Sequence, residues 1–396
     1  MNIVDRINAR FPALAAQMNA VPAHFAPGWL KAAAQDLTGL SDFGAPDHEE
    51  GLERLCDSLE RDANLNAYGR MMAAGLIRGE LANRLLLQRA RTQGQTQGPL
   101  IAPVIVTGLP RTGTTFLHRL LSADPAHASL PYWQVRRPIP LGPADTDEVR
   151  FKEAADFLEI RSAITPELDG IHLIRAESPE ECFWMTSQSM RSRLFWNLAP
   201  VHAYQHWVSR ADKSAKYTDY ADQLRFLQTL YPGKRLVLKA PDHNDGLNEL
   251  LAAMPDARVI VTHRDMIEQM GSYFSLGRTT RMLAVNGLDQ QREAETIVDM
   301  TDVSLLKMAQ ARAAHPGRIL DVRYTDMMDD PLAAVERIYA FCGLTLPESR
   351  RAAIADHHAR NPKGKHGAHE YSLAEFGLDD AWVRDRYAAY SAEFLA

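Results

Sequence analysis

Apolar residues recur at spacings of three and four through residues 51–62 and 65–87. That is the period of a helix with one buried face. The breaker-rich stretch at 39–47 (GLSDFGAPD) interrupts this region, and a polar run at 91–99 (RTQGQTQGP) closes it. We therefore expect residues 1–98 to form a helical N-terminal extension. The period then changes. Residues 103–107 (PVIVT) are a short β-branched run that meets Gly108, Pro110 and Gly113 at once, as a buried strand entering a tight loop would. Helical spacing returns at 115–123. The alternation repeats with strand patterns at 235–238, 258–262 and 319–323, followed by helical patterns at 244–254, 266–276 and 331–342. Repeated strand–helix units predict an α/β fold with a central parallel sheet covered by helices. Residues 141–230 are mostly helical and carry Trp184, Phe195, Trp196, Tyr204 and Trp207. Such an insertion is expected to line a substrate pocket, although plain core packing is the commoner reason for any single one of these rings.

Composition changes this picture little. Hydrophobic residues make up 46% and charged residues 24% of the 396, which excludes a disordered or collagen-like chain. Lys and Arg number 44 against 50 Asp and Glu, a net charge of −6. This argues against a general nucleic-acid binder. It leaves room for an anionic ligand held by a local cationic cluster. Cys56, Cys182 and Cys342 are too few and too scattered for a disulfide framework or a zinc site. The N-terminus lacks the basic start and long apolar core of a secretory signal. No apolar run reaches the roughly 18 residues of a membrane span. A cytoplasmic protein without an integral membrane segment is the expectation.

The most informative stretch is TGLPRTGTT, residues 107–115. A helix N-terminus offers unpaired N–H groups and partial positive charge to a phosphate. Gly108 and Gly113 let the backbone curl so that several N–H groups converge on one anion. Gly108, Gly113 and Thr115 are in register with the nucleotide-binding pattern G-x-x-x-x-G-K-[ST], which makes a P-loop-like three-layer sandwich the expected architecture of residues 99–396. Thr114 replaces the Lys, and the cation comes earlier, as Arg111. The strand at 235–238 runs into Lys239, where an Asp would serve a metal-triphosphate enzyme. The loop suits a phosphate-like anion without that apparatus.

In this context the segment PVIVTGLPRTGTTFLHRLL (103–121) resembles the 5′-phosphosulfate loop of sulfotransferases that use 3′-phosphoadenosine 5′-phosphosulfate (PAPS). Residues 257–276 resemble that family's 3′-phosphate element, with Arg264 at a strand end and Ser272 eight residues on. Residues 321–342 resemble its late segment with a Tyr-x-Asp, and Lys363-Gly-Lys-His-Gly367 its closing loop. The stretches at 39–47 and 371–378 resemble a bacterial branch with an extra helical N-terminal region. The resemblance implies PAPS as cosubstrate, no required metal, and a small-molecule or lipid hydroxyl as acceptor. It implies that Arg111 binds the sulfuryl group and steadies the leaving phosphate oxygen. Thr112, Gly113, Thr114 and Thr115 would bind the 5′-phosphosulfate, and Phe116 would stack on the adenine. Arg264 and Ser272 would hold the 3′-phosphate, with Tyr324, Lys363 and Gly364 completing the cofactor site. The closing loop departs from the family pattern, with Pro362 where an Arg is usual.

Sulfuryl transfer needs a base for the acceptor proton and positive charge for the leaving oxygen. The strand at 235–238 delivers Lys239-Ala-Pro-Asp-His243 at its C-terminal end, where open parallel sheets bind ligands. Lys239 resembles a family Lys that stabilises the bridging oxygen. His243 is the preferred base, since an imidazole titrates near neutrality. Asp242 is an alternative, because the family's base stands at the position of Pro241. Glu177, Glu180 and Glu181 are rivals, although Ser178-Pro-Glu-Glu181 reads as a capping box opening a helix. Gln134 stands where this branch often has a Glu. His118 is expected to pack, and His366 and His369 to hydrogen-bond rather than ligate metal. Two other readings remain: an ATP- or GTP-dependent phosphotransferase, and a non-catalytic binding protein. For the N-terminal region, covering the pocket, capping the sheet and forming a homodimer all stay open.

Overall fold

In this computed structural model the protein is described over residues 2–168, 174–360 and 373–396. Helices α1 (Ile3–Arg10), α2 (Pro12–Asn19), α3 (Pro27–Thr38), α4 (Glu49–Arg61) and α5 (Ala67–Thr92) precede the sheet. Side chains and glycines set several of their ends. Asn66 caps α5 by accepting from the Gly69 N–H at 2.8 Å, and Gly39 ends α3 with φ +68°.

Strand β1 (Val104–Gly108) then feeds the glycine loop and helix α6 (Thr114–Ser122), followed by the two-residue β2 (His127–Ala128). Helices α7 (Tyr132–Arg136), α8 (Asp147–Ile164), α9 (Phe183–Thr186), α10 (Leu194–Leu198), α11 (His202–Arg210) and α12 (Ser214–Gln228) form the expected helical insertion. Strand β3 (Arg235–Lys239), helix α13 (Leu247–Ala253), strand β4 (Arg258–His263), helices α14 (Met266–Met282) and α15 (Gln290–Ala314), and strand β5 (Ile319–Arg323) follow. Helices α16 (Tyr324–Asp329), α17 (Pro331–Phe341), α18 (Glu348–Arg360), α19 (Asp380–Arg386) and α20 (Ala388–Phe394) close the chain.

The sheet is parallel throughout, in the order β2-β3-β1-β4-β5. Strand alternation divides its residues between two cores. Ile105, Leu236, Leu238, Val259 and Val261 pack with α12 and α13 on one face. Val104, Val106, Val237, Ile260 and Val322 pack with α6 and α17 on the other. The result is the α/β three-layer sandwich that the pattern predicts.

The N-terminal helices share a core with the rest of the chain. Leu30, Leu55, Ile77 and Leu81 cluster with Trp196, Tyr204, Phe274 and Ile297. A clamp reinforces the junction. Asn66 donates through Nδ2 to the carbonyls of Leu283 (2.9 Å) and Val285 (3.2 Å), and its backbone N–H to that of Ala284 (2.9 Å). Among the described residues no helix is long and apolar enough to cross a membrane.

Candidate active site

The C-terminal ends of β3, β1 and β4 stand side by side, and the loop after β1 is pinned to β4. The hydroxyls of Thr112 and Thr262 are 2.7 Å apart, and Thr112 also donates to the Leu109 carbonyl at 2.7 Å. Arg111 sits at φ +72°, a region that L-residues avoid, at a cost on the order of 1 kcal/mol. Its Nε donates to Ser272 Oγ on α14 at 2.9 Å. Gly113 is required twice over. Its φ is +91°, and a Cβ there would lie 2.6 Å from Met327 Cε and 2.8 Å from Tyr324 Cδ2. Among the described residues no side chain caps α6, so its first-turn N–H groups and the positive end of its dipole form an opening that suits an anion.

The predicted 3′-phosphate residues gather beside this loop. Arg264 donates from Nη1 to the Arg111 carbonyl at 3.1 Å, and its guanidinium lies 4.5 Å from the Tyr324 ring centroid. Glu268 pairs with its other edge at 2.6–2.9 Å. Thus Arg111, Ser272, Arg264 and Tyr324, from three separate stretches, form one cluster. Phe116 meets the His358 ring edge-on at 5.7 Å, and both line the cavity described below. The residues expected in the closing loop, Lys363 and Gly364 with His366 and His369, lie outside the described residues.

At the end of β3, Lys239 is 2% exposed, and its Nζ donates to Thr115 Oγ1 at 3.1 Å and pairs with Glu181. The strand therefore joins the loop to a carboxylate. Residues 178–181 do not open a helix, which corrects the capping-box reading. Instead Pro179 bridges Pro131, Tyr132 N–H donates to Ser178 O, and Glu180 N–H donates to Leu130 O. This extended run carries Glu180 and Glu181 to the cavity wall, and α9 begins only at Phe183 with no side-chain cap.

His243 is not brought into the site. It is fully buried behind the strand end and does not line the cavity. Its Nδ1 shares a hydrogen bond with the Tyr217 hydroxyl at 3.2 Å, and the rings of Tyr217 and Tyr220 pack beside it. Burial, with Lys216 close by, pushes its pKa down to about 3. An imidazole that rejects protons so strongly is a poor base at neutral pH. Asp242 is likewise engaged. It accepts from Lys216 Nζ (2.6 Å), Ser192 Oγ (2.9 Å), the Arg193 N–H (3.0 Å) and Thr186 Oγ1 (3.2 Å). Glu177 is exposed and away from the cavity lining. His118 packs as expected, with Nε2 3.1 Å from the Val237 carbonyl, and Gln134 accepts from the Tyr231 hydroxyl at 2.6 Å.

One cavity of about 1760 Å³ adjoins the loop and the Glu180–Glu181 run. Arg111, Thr114, Thr115, Arg264 and Tyr324 line one end, and Glu180 and Glu181 lie on its wall. The insertion contributes Phe157, Phe183 and Trp184. Arg136, also on the wall, stacks over the Trp184 ring at 4.5 Å.

A parallel sheet with an anion loop at one strand end, a cationic cluster beside it and a carboxylate–lysine pair facing a large cavity is the layout of a group-transfer enzyme. The model of the Sulfotransferase family matches residues 103–348, and this chain belongs to that family. The crystal structure of sulfotransferase STF1 from Mycobacterium tuberculosis H37Rv superposes with a TM-score of 0.81 at 34% identity, covering 92% of this chain and 99% of that one. Sulfotransferase STF9 from Mycobacterium avium superposes with a TM-score of 0.83 at 27% identity, covering 93% and 96%. In sequence, the omega-hydroxy-beta-dihydromenaquinone-9 sulfotransferase Stf3 of Mycobacterium bovis is 23% identical over 304 residues, 72% of this chain and 74% of that protein.

Proposed function

We propose that this sulfotransferase moves a sulfuryl group from PAPS to the hydroxyl of an apolar acceptor, with residues 99–396 carrying the chemistry. The residues present fit the donor's groups. The uncapped start of α6 suits the 5′-phosphosulfate, the Arg264–Ser272 pair suits the 3′-phosphate, and the Phe116 face suits the adenine. When bound, PAPS supplies an activated sulfuryl group on a phosphate leaving group.

The protein's own residues do the rest. Arg111 and Lys239 place positive charge at the loop, where negative charge grows on the leaving oxygen. Thr112–Thr115 orient it through backbone N–H donors, with the hydroxyls of Thr114 and Thr115 beside them. Glu181, not His243, takes the proton from the acceptor hydroxyl as that oxygen bonds to sulfur. The observation that carries this reading is the contact of Lys239 with both Thr115 of the loop and Glu181 of the cavity wall. An apolar acceptor is supported by the aromatic wall. It is also supported by the relative whose name specifies a menaquinone-derived substrate.

The test is thermal stabilisation. 3′-Phosphoadenosine 5′-phosphate (PAP) raises the melting temperature, and ATP with magnesium does little. The reverse result would return the chain to the phosphotransferase class.

A further inference from the structure

The cavity has room for two ligands, a donor at the loop and an acceptor beyond it. Pockets for a single small ligand are about 300–1,000 Å³, against about 1760 Å³ here. Away from the loop it continues as an arm walled by Leu14 of α2, Trp29 of α3, Met71 and Met72 of α5, and Ile160 and Ile164 of α8. Of the charged lining groups on this side, Arg78, Glu153 and Asp156 are exposed and stand at the rim, and the half-buried Arg161 lies between Ile160 and Ile164 on α8. Trp29 and Ile160 are themselves exposed, by 37% and 45%, so the apolar lining reaches the surface.

Gly75 marks the opening. It lies inside α5, lines the cavity and is exposed. A glycine inside a helix weakens it relative to alanine, and packing against a neighbour is the usual reason to keep one. Among the described residues there is no such neighbour, since a Cβ at Gly75 would meet none of them within 4 Å. Gly69, one and a half turns earlier, is the contrast: its Cβ would strike the Ala284 carbonyl at 2.0 Å. The space beside Gly75 is the cavity itself.

We propose that this arm binds the long apolar chain of the acceptor, a straight-chain or isoprenoid lipid alcohol. The chain lies past Gly75 between α2, α3, α5 and α8, with its hydroxyl at Glu181. The N-terminal helices then complete the acceptor site rather than merely cap the sheet. The arm is continuous with the reaction centre, which is why the acceptor's own tail, and not a second protein, is the occupant. This rests on the sulfotransferase reading above.

The test is binding to the PAP-loaded protein, with hexanol, decanol, lauryl alcohol and farnesol as probes. Full burial of a methylene tightens binding about fourfold, so Kd should fall by well over tenfold from hexanol to lauryl alcohol. Farnesol shows whether the branched chain is taken as well as the straight one. Gly75→Phe, which projects a ring into the open space, should raise the lauryl alcohol Kd by tenfold or more. It should leave the hexanol Kd and the PAP melting shift as they were. Met72→Trp narrows the arm from the same helix and should do the same. A Kd independent of chain length, or a length dependence that survives both substitutions, overturns the proposal. Failure of the underlying sulfotransferase reading shows up separately, as the absence of a PAP melting shift in the unaltered protein.

Discussion

Gly113 and Gly75 stand at opposite ends of one cavity and are glycines for opposite reasons. At Gly113 the space is full: Met327 and Tyr324 press on the backbone, and φ is positive. At Gly75 the space is empty and the backbone is ordinary helix. The loop end is built by close approach, which holds N–H groups and cations where an anion will sit. The arm end is built by leaving room. Tight geometry belongs to the transferred group, and loose apolar volume to whatever carries the hydroxyl.

The contrast can be broken most forcefully at the boundary between the two ends. Glu181→Gln should lower kcat by about 10²–10⁴-fold, the usual worth of a positioned base, with the PAP melting shift retained. His243→Asn should leave kcat within a few-fold and act on stability instead. The opposite ranking in a sulfate-transfer assay would return the base to His243.

Next in size is a pH effect from the tightly packed side. His118 and His243 are both driven down from 6.5 to about 3, chiefly by burial. The unfolded imidazoles take up protons first, so stability is lost as pH falls from about 6.5 toward 3. Each imidazole should cost about 2 kcal/mol between pH 7 and pH 5, read as a lower urea midpoint. A flat urea midpoint over this range would mean that these rings are not held neutral by burial.

Gly113→Ala should destabilise by about 1–3 kcal/mol and weaken PAP binding. Smallest, and opposite in sign, Gly75→Ala should stabilise by about 0.5–1 kcal/mol, a rise of a few degrees in melting temperature. If both alanines shifted stability the same way, the distinction between the two glycines would fail.

The loop end was legible in the sequence because its parts are nearly consecutive. A β-branched run, two glycines, a cation and a helical pattern within 20 residues leave few alternatives. Arg264, Ser272 and Tyr324 came from family resemblance, and they do assemble with Arg111. Glu181 was legible only as a rival, because Ser-Pro-Glu-Glu is a good local helix start. Pairing of Pro179 with Pro131, some 50 residues away, overrides that propensity. Depth misled at His243, since nothing near it announces the tyrosines of α12 that bury it. Helix α15 escaped notice because its 25 residues are rich in Gln, Glu and Asp, and β2 because two residues show no period. The arm has no linear signature at all. Its walls run from Leu14 to Leu283, and each contributing residue reads alone as ordinary core.

The clamp at Asn66 also bears on how the chain is made. Asn66 and the Val285 carbonyl it holds are 219 residues apart. At a synthesis rate of about 5–20 residues per second, the N-terminal helices leave the ribosome roughly 10–45 s before their partners. Helix α5 meets α10 and α12 part-way through that interval, but its start at Asn66 waits for residues 283–285. A stall before residue 285 would leave the start of α5 without its clamp, with the Asn66 side chain lacking both of its carbonyl partners.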